Sequence, residues 1–196
     1  MRCFIVLPCF NEEKNIKPLV YSIDEVLGPL IPYKIIAVND GSYDRTSEVL
    51  KNLSTDYSVK VLEHPVNLGL GAALRTGLLT AVEEAFDDDF VVSMDSDSTH
   101  NPKHILDMLI AAENAYADVV VGSRYVKGGM QFNVPSHRVL LSKAINFLAG
   151  KLFRLPLKDA TSGFRCFRGG LLKQLRSTFR NSIIESNDFV ASLELL

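Results

Sequence analysis

Two carboxylates one residue apart form the clearest chemical pattern in the chain. The stretch SMDSDSTHNP places Asp95 and Asp97 directly after an apolar run. A buried, unpaired carboxylate is costly, so acids at the end of a buried strand need a reason. Hard cations such as Mg²⁺ prefer oxygen ligands and commonly take one or two carboxylates plus substrate phosphates, and Ser96 or Thr99 would add neutral oxygens. The pattern indicates either a cation site or a polar turn, and the Asn-Pro pair at 101–102 separately predicts a helix start.

Four further polar loops lie between the predicted strands and helices. They are PCFNEE at 8–13, NDGS at 39–42, NLGLGAALRTG at 67–77 and GSRY at 122–125. Each one alone is equally typical of a turn or a helix cap. The glycine spacing at 69–77 is not G-x-G-x-x-G and does not follow the first strand, which excludes a dinucleotide-binding motif. Its glycines would admit a ligand, with Arg75 available for phosphate, or would allow tight helix–sheet packing.

Short β-rich runs alternate with helical stretches along the first two thirds of the chain. The predicted strands are 3–7, 34–38, 58–62, 90–94 and 118–121, and the predicted helices are 15–27, 45–53, 71–85 and 102–115. Strands that are apolar on both faces and alternate with helices predict an α/β fold with a parallel sheet covered on both sides. Ligands of such sheets bind beyond the carboxyl ends of the strands, which is where the polar loops fall.

Composition bounds the class of protein. The chain has 196 residues, 47% of them hydrophobic, which suits a single domain over 1–196. No apolar run reaches the roughly 20 residues of a membrane span, and the N-terminus lacks the features of a signal peptide. The three cysteines are irregularly spaced and predict reduced cytosolic thiols, not disulfides or a zinc site.

Charge divides the chain near residue 123. Residues 1–123 carry 9 Lys and Arg against 19 Asp and Glu, whereas residues 124–180 carry 12 Lys and Arg against Asp159 alone. A basic block of this kind is typical of a solvated face or of a site for an anionic partner. The stretch 138–158 interleaves apolar and basic residues and predicts either a buried amphipathic helix or a helix on an anionic membrane surface. Because no aromatic-interleaved motif accompanies the block, we expect no nucleic-acid partner.

The ordered set of motifs resembles the family-2 glycosyltransferases of GT-A fold, and among them the polyprenyl-phosphate (dolichyl-phosphate mannose synthase-like) branch. The motifs are PCFNEE, NDGS, NLGLGAA, DSDSTH, GSRY, R-x₃-S and DATSGFR, spanning about residues 4–168. The resemblance implies a nucleotide-diphospho-sugar transferase fold with a central, mostly parallel sheet. It also implies a nucleotide-sugar- and metal-binding half over 1–123 and a basic, acceptor- and membrane-facing half over 124–196.

The resemblance implies a nucleotide site formed by Pro8, Phe10, Glu12, Val38 and Asp40. Phe10 stands where the family usually has Tyr, which keeps a stacking face and loses a hydroxyl. Asn39 replaces the first Asp of the usual D-D-G-S turn, and Asp40 remains as the acid that faces the nucleotide.

The resemblance also implies where the metal and the acceptor bind. Asp95 and Asp97 would hold Mg²⁺ or Mn²⁺ on the donor diphosphate, with Ser96 between them and Thr99 as a third metal residue where related synthases often have Gln. The acceptor phosphate would be bound by Arg124, Arg138 and Ser142. Asp97 and Arg124 are the expected catalytic residues.

The implied reaction is an inverting transfer of a hexose, mannose or glucose, from a nucleoside diphosphate sugar to a dolichyl or undecaprenyl phosphate. A lipid phosphate is already ionised at neutral pH, so it needs no strong general base, while a cation offsets charge on the leaving group. The resemblance places the protein on the cytoplasmic face of a membrane as a peripheral protein, and leaves an integral-membrane partner or a homo-oligomer open. The alternatives are a family-2 transferase with a hydroxyl acceptor, or a non-catalytic nucleotide-sugar-binding module.

Overall fold

The computed structural model describes residues 1–126, 159–180, 182–187 and 191–194, without the side chains of residues 192 and 193. Its strands are β1 Cys3–Cys9, β2 Tyr33–Asp40, β3 Val59–His64, β4 Phe90–Ser93, β5 Val119–Val121 and β6 Arg165–Arg168. Its helices are α1 Ile16–Leu27, α2 Thr46–Asp56, α3 Leu70–Glu84, α4 Lys103–Ala115, α5 Gly169–Phe179 and α6 Ala191–Glu194. The predicted alternation of strands and helices through residue 121 is confirmed.

The described strands form one sheet in the order β3-β2-β1-β4-β6-β5. β1 pairs in parallel with β2 and β4, and β2 pairs in parallel with β3. β6 runs antiparallel between β4 and β5. The mostly parallel sheet is therefore confirmed, but the sequence reasoning did not predict β6, a four-residue strand with an arginine at each end.

Each strand sends alternate side chains to opposite faces of the sheet, and both faces are buried. On β1, Cys3, Ile5 and Leu7 enter the core under α1, α2 and α4, while Phe4 and Val6 enter the core under α3 and α5. Fully burying one such large apolar side chain contributes about 1.5–3 kcal/mol to stability. The two cores fix the strand ends, and with them the loops that follow.

The parallel register brings the loops after β1, β2 and β4 to the same edge of the sheet. Cys9 on β1 lies opposite Asn39 on β2, and Val6 lies opposite Ser93 on β4. The predicted helix start after β4 has the expected cap, because Asn101 Oδ1 accepts the Lys103 amide at 3.0 Å. Within the described ranges, none of the helices has both the length and the apolar character needed to cross a membrane.

Candidate active site

A cleft of about 290 Å³ opens at the carboxyl ends of β1, β2 and β4, beside the start of α3. Seven predicted site residues line it: Pro8, Phe10, Glu12, Asp40, Asp95, Ser96 and Asp97. The glycine-rich loop completes the wall through Asn67, Gly69, Leu70 and Ala73. Sequence reasoning named the glycine loop without assigning these residues to the site. The loops from three strands thus meet as the sheet topology predicts.

Ser96 anchors the loop that carries the two carboxylates. Its side chain is 3% exposed, and its hydroxyl donates to the Pro8 carbonyl at 2.8 Å and lies 3.2 Å from Cys9 Sγ. Because the middle residue of the D-S-D triplet is tied to the end of β1, its neighbours Asp95 and Asp97 line the cleft. Burial raises the pKa of the Cys9 thiol to about 12, so it remains a neutral packing group.

Thr99 holds Asp97 in place. Its hydroxyl and its amide both donate to Asp97 Oδ1, at 2.6 and 3.0 Å. Ser98, between them, has a φ of 62°, the left-handed conformation that lets this short loop turn back on itself. Thr99 is outside the set of cleft-lining residues, so its role as a metal ligand remains a prediction.

His100 closes the same loop onto Asp95. The Asp95 amide donates to His100 Nδ1 at 3.2 Å, and Nε2 lies 3.8 Å from Asp95 Oδ2. An Nδ1 that accepts a hydrogen bond leaves the proton of the neutral ring on Nε2, facing the carboxylate. The ring also stacks on Phe164, with centroids 4.9 Å apart. Sequence reasoning gave His100 no role, although a histidine beside two loop acids was a usable signal.

The cleft is strongly acidic. Burial raises the pKa of Asp95; His100 and Arg124 oppose that rise and Asp97 adds to it. Burial also raises the pKa of Glu12. The hydrogen bond from Asn15 lowers that pKa, and the charges of Asp97 and Asp95 raise it further. After burial, the charge of Asp97 adds to the rise in both pKa values, which is the effect of a nearby negative charge.

This donor set fits a hard divalent cation. Two carboxylates on one loop supply the oxygen ligands that Mg²⁺ takes from proteins, with the remaining positions filled by substrate phosphate and water. Over the described part of the chain, no cluster of three or more His, Cys, Asp or Glu side chains has a metal-binding arrangement.

Asp40 is buried and already bound within the protein. Its Oδ1 accepts the Leu68 amide at 3.0 Å and lies 2.7 Å from His64 Nδ1, and its Oδ2 accepts the Gly69 amide at 2.9 Å. His64 Nε2 in turn lies 3.0 Å from Thr76 Oγ1. Asp40 thus fixes the glycine-rich loop at the cleft wall. Sequence reasoning missed His64, although it lies directly opposite Asp40 in the register of β2 and β3.

Phe10 presents an aromatic face at the mouth of the cleft. Its side chain is 39% exposed and packs edge-on against Tyr43, with ring centroids 5.6 Å apart. Ser42 accepts the Asn11 amide at 2.9 Å, and Asn11 Oδ1 accepts the Tyr43 amide at 3.1 Å. These reciprocal hydrogen bonds hold the loops after β1 and β2 together, so the aromatic pair has a fixed base.

Val38 occupies a different environment from the other predicted nucleotide residues. Its side chain is completely buried in the core on the α3 side of the sheet. It is not among the residues that line the cleft. Glu12 does line it, with its carboxylate accepting a hydrogen bond from Asn15 Nδ2 at 2.7 Å and its amide donating to Thr46 Oγ1 at 2.8 Å.

Arg124 pairs with the acid that interrupts the basic block. Its Nε and Nη2 donate to the two oxygens of Asp159, each at 2.8 Å, and its amide donates to Oδ2 at 3.0 Å. Thr161 Oγ1 accepts a further bond from Nη2. Burial raises the pKa of Asp159, but the bonds from Arg124 outweigh it, so the net pKa is lowered. Arg138, Ser142 and the basic stretch 138–158 lie outside the described residues.

Two curated relatives align with most of this chain. It is 39% identical over 172 residues to a dolichol-phosphate mannosyltransferase of Pyrococcus furiosus, covering 86% of this chain and 46% of that protein. It is 32% identical over 176 residues to a polyprenol monophosphomannose synthase of Mycolicibacterium smegmatis, covering 89% of this chain and 64% of that protein. The chain therefore spans less than two thirds of the length of either relative.

A solved structure shares the fold. It is glucosyl-3-phosphoglycerate synthase from Mycobacterium tuberculosis, determined with Mn²⁺, uridine diphosphate and phosphoglyceric acid. The two structures superpose with a TM-score of 0.67 at 21% sequence identity, and the match covers 98% of this chain and 61% of the synthase chain. At this identity the likeness shows the fold alone. The family described as glycosyl transferase family 2 matches residues 4–176, and the chain is a member of that family.

Proposed function

We propose that this protein transfers a hexose from a nucleoside diphosphate sugar to a polyprenyl phosphate. Both curated relatives carry names of polyprenyl-phosphate mannosyltransferases, which supports mannose as the sugar and dolichyl or another polyprenyl phosphate as the acceptor. The observation that carries the proposal is the acidic cleft, in which loops from β1, β2 and β4 bring Glu12, Asp95 and Asp97 together.

On the donor side, the exposed ring of Phe10 supplies a face on which a nucleobase would stack. Asp95 and Asp97 are the residues that would hold Mg²⁺ or Mn²⁺ against the diphosphate. When bound, such a cation supplies positive charge that stabilises the departing nucleoside diphosphate. Without countercharge, this cleft would repel a diphosphate, since burial and the negative charge of Asp97 already raise the pKa of Glu12 and of Asp95.

On the acceptor side, Asp159 and Thr161 fix the orientation of the Arg124 guanidinium. The positive charge of Arg124 opposes the rise that burial causes in the pKa of Asp95, which supports a position of Arg124 beside the cleft. A guanidinium held in one orientation is well suited to a phosphate group. Arg124 would direct the acceptor phosphate, together with Arg138 and Ser142, toward the sugar.

The phosphate acceptor determines the chemistry that the protein must supply. A phosphate monoester is ionised at neutral pH, so the protein needs only to orient it and to shield its charge. Direct attack by a phosphate oxygen on the anomeric carbon inverts that centre, and the bond to the diphosphate breaks. Because the acceptor is a lipid, we place the protein at the cytoplasmic face of a membrane, as a peripheral protein.

A donor screen tests the proposal. The chain is incubated with nucleoside diphosphate sugars, MgCl₂ or MnCl₂, and a short polyprenyl phosphate in detergent, and nucleoside diphosphate release is measured. We expect release that requires the lipid phosphate, and its loss in Asp97→Asn but not in Asp107→Asn, an exposed acid on α4. Release that ignores the lipid phosphate would favour a hydroxyl acceptor. Nucleotide binding without release would favour a non-catalytic module.

A further inference from the structure

A segment after α5, residues 182–187, lies against the first turn of α3; we refer to it as the C-terminal strap. The Asn187 carbonyl accepts the Gly71 amide at 3.0 Å. Arg75 reaches the strap with both of its terminal nitrogens: Nη1 donates to the Ile184 carbonyl at 2.6 Å, and Nη2 donates to Asn187 Oδ1 at 3.2 Å. The strap therefore binds the Gly71 amide and Arg75, the arginine that the sequence pattern made available to a phosphate.

The glycine-rich loop is shaped to admit this strap. A Cβ on Gly71 would overlap the Ser186 carbonyl oxygen, and a Cβ on Gly69 would overlap the Asn187 carbonyl oxygen. Gly69 also has a φ of 94°, which favours glycine. Both glycines pack closely against the strap, a contact that neither interpretation from sequence named.

The strap is also fixed by α6. The carboxylate of Glu194 on α6 accepts the Glu185 amide at 2.6 Å and the Ser186 amide at 3.1 Å. Ile184 is completely buried in the core beside α3. One side chain therefore holds the strap backbone from α3 and another holds it from α6.

The turn that receives the strap is also a wall of the cleft. Gly69 and Leu70 line the cleft, and Asp40 accepts the Leu68 and Gly69 amides on the other side of the same turn. The turn at 68–71 is thus held between Asp40 and the strap. The family match ends at residue 176, so the strap lies beyond the part of the chain that the match covers.

We propose that the C-terminal strap is a positioning element for the nucleotide cleft. It holds the turn at 68–71 at the distance from β1 and β2 that a nucleoside diphosphate requires, and Arg75 acts through the strap without contacting the ligand. The inference rests on the proposed function, because it assigns a nucleotide to the cleft.

The direct test displaces the strap from the glycine side. Gly71→Ala places a methyl group against the Ser186 carbonyl, whereas Gly170→Ala is the matched control, since a Cβ there would lie 3.5 Å from the Asp87 carbonyl oxygen in ordinary contact. Binding of five nucleoside diphosphates (UDP, GDP, ADP, CDP and dTDP) with MgCl₂ is measured by titration calorimetry, with thermal melting alongside. For whichever of them the wild type binds, we expect Kd to rise about tenfold in Gly71→Ala, the change that one misplaced hydrogen bond produces. The control should stay within about twofold of the wild type.

The stoichiometry separates positioning from folding. A partly unfolded variant binds fewer molecules with an unchanged Kd, whereas a displaced cleft wall binds one molecule with a higher Kd. An unchanged Kd in Gly71→Ala would overturn the inference and leave the proposed function intact. If the wild type binds none of the five nucleotides with MgCl₂, the proposed function fails, and the inference fails with it.

A second pair of variants distinguishes positioning from direct contact. Glu194→Ala removes the acceptors of the strap amides, and Glu194→Gln keeps one acceptor oxygen. We expect Glu194→Ala and Arg75→Ala to raise Kd together, with Glu194→Gln restoring most of the affinity. A rise in Arg75→Ala without any rise in Glu194→Ala would mean that Arg75 contacts the nucleotide, and would overturn the positioning role.

Discussion

Replacing Asp159 with asparagine tests whether the Arg124 pair holds the acceptor side of the cleft in place. Asp159 is 1% exposed and accepts hydrogen bonds from the Nε, Nη2 and amide of Arg124 and from Thr161 Oγ1. Asparagine keeps the shape and one acceptor oxygen, but it turns an amide group toward donors that need an acceptor. The Arg124 guanidinium then loses the negative charge of Asp159.

The expected magnitude follows from burial. Removing one partner of a buried ion pair costs about 3–5 kcal/mol. Arg124 is 31% exposed and keeps some hydration, and asparagine retains one acceptor, so we expect about 2–3 kcal/mol. For a chain of this length, 1 kcal/mol shifts the melting temperature by about 2–4 °C. Asp159→Asn should therefore lower it by about 4–12 °C.

The matched control is an exposed pair of similar length. Lys173 Nζ lies 2.7 Å from Asp87 Oδ1, and the Asp87 side chain is 80% exposed. Exposed pairs of this kind contribute about 0–1 kcal/mol, so Asp87→Asn should lower the melting temperature by less than about 4 °C. Thermal melting followed by circular dichroism measures both variants. Equal shifts in the two variants would refute the assignment of stability to the buried Arg124 pair.

Three further predictions concern Asp159, Asp97 and His100. Because its net pKa is lowered in the folded protein, Asp159 stabilises the fold above the unfolded pKa of about 3.9. The difference in free energy of unfolding between wild type and Asp159→Asn, measured in urea, should narrow as the pH falls below about 4. A difference that widens there would contradict a lowered pKa of Asp159. Asp97→Asn should abolish metal-dependent turnover. Because Asp97 is exposed, the same change should move the melting temperature by less than about 2 °C. Retained turnover would remove Asp97 from the metal site. His100→Phe keeps the stack on Phe164 but loses the acceptor for the Asp95 amide. Mn²⁺ affinity, measured by electron paramagnetic resonance, should therefore fall about tenfold in His100→Phe and by less in His100→Asn. Equal losses in the two variants would exclude the Nδ1 contact as the cause.

Much of the cleft could be predicted from sequence, because strand order and loop chemistry are local signals. Glu12, Asp40 and Asp95 each follow a run of apolar, β-rich residues, and parallel strands end at one edge of the sheet. Their convergence therefore follows from the pattern alone. The hydrogen-bond partners of a side chain within the cleft do not follow from it: Asp40 lines the cleft, and its oxygens also accept the Leu68 and Gly69 amides of the glycine-rich loop.

The missed features depend on contacts between distant parts of the chain. β6 has only four residues, and it pairs with β4 and β5, which lie far earlier in the chain. Its Arg165 is buried in the core, where Nε and Nη2 donate to the Ser162 and Ala160 carbonyls and Nη1 has no hydrogen-bond partner among the described residues; such a side chain leaves no periodic signal. The strap meets Arg75 across 109 positions of sequence, and no local pattern predicts such a contact.

The central claim is that the acceptor is a lipid phosphate. The most direct test gives the chain its preferred sugar donor with MgCl₂ and either a short polyprenyl phosphate or the matching polyprenol, and identifies the lipid product by mass spectrometry. We predict a hexosyl phosphoprenol from the phosphate and no glycosylated product from the alcohol. Transfer to the polyprenol at a comparable rate would contradict the account.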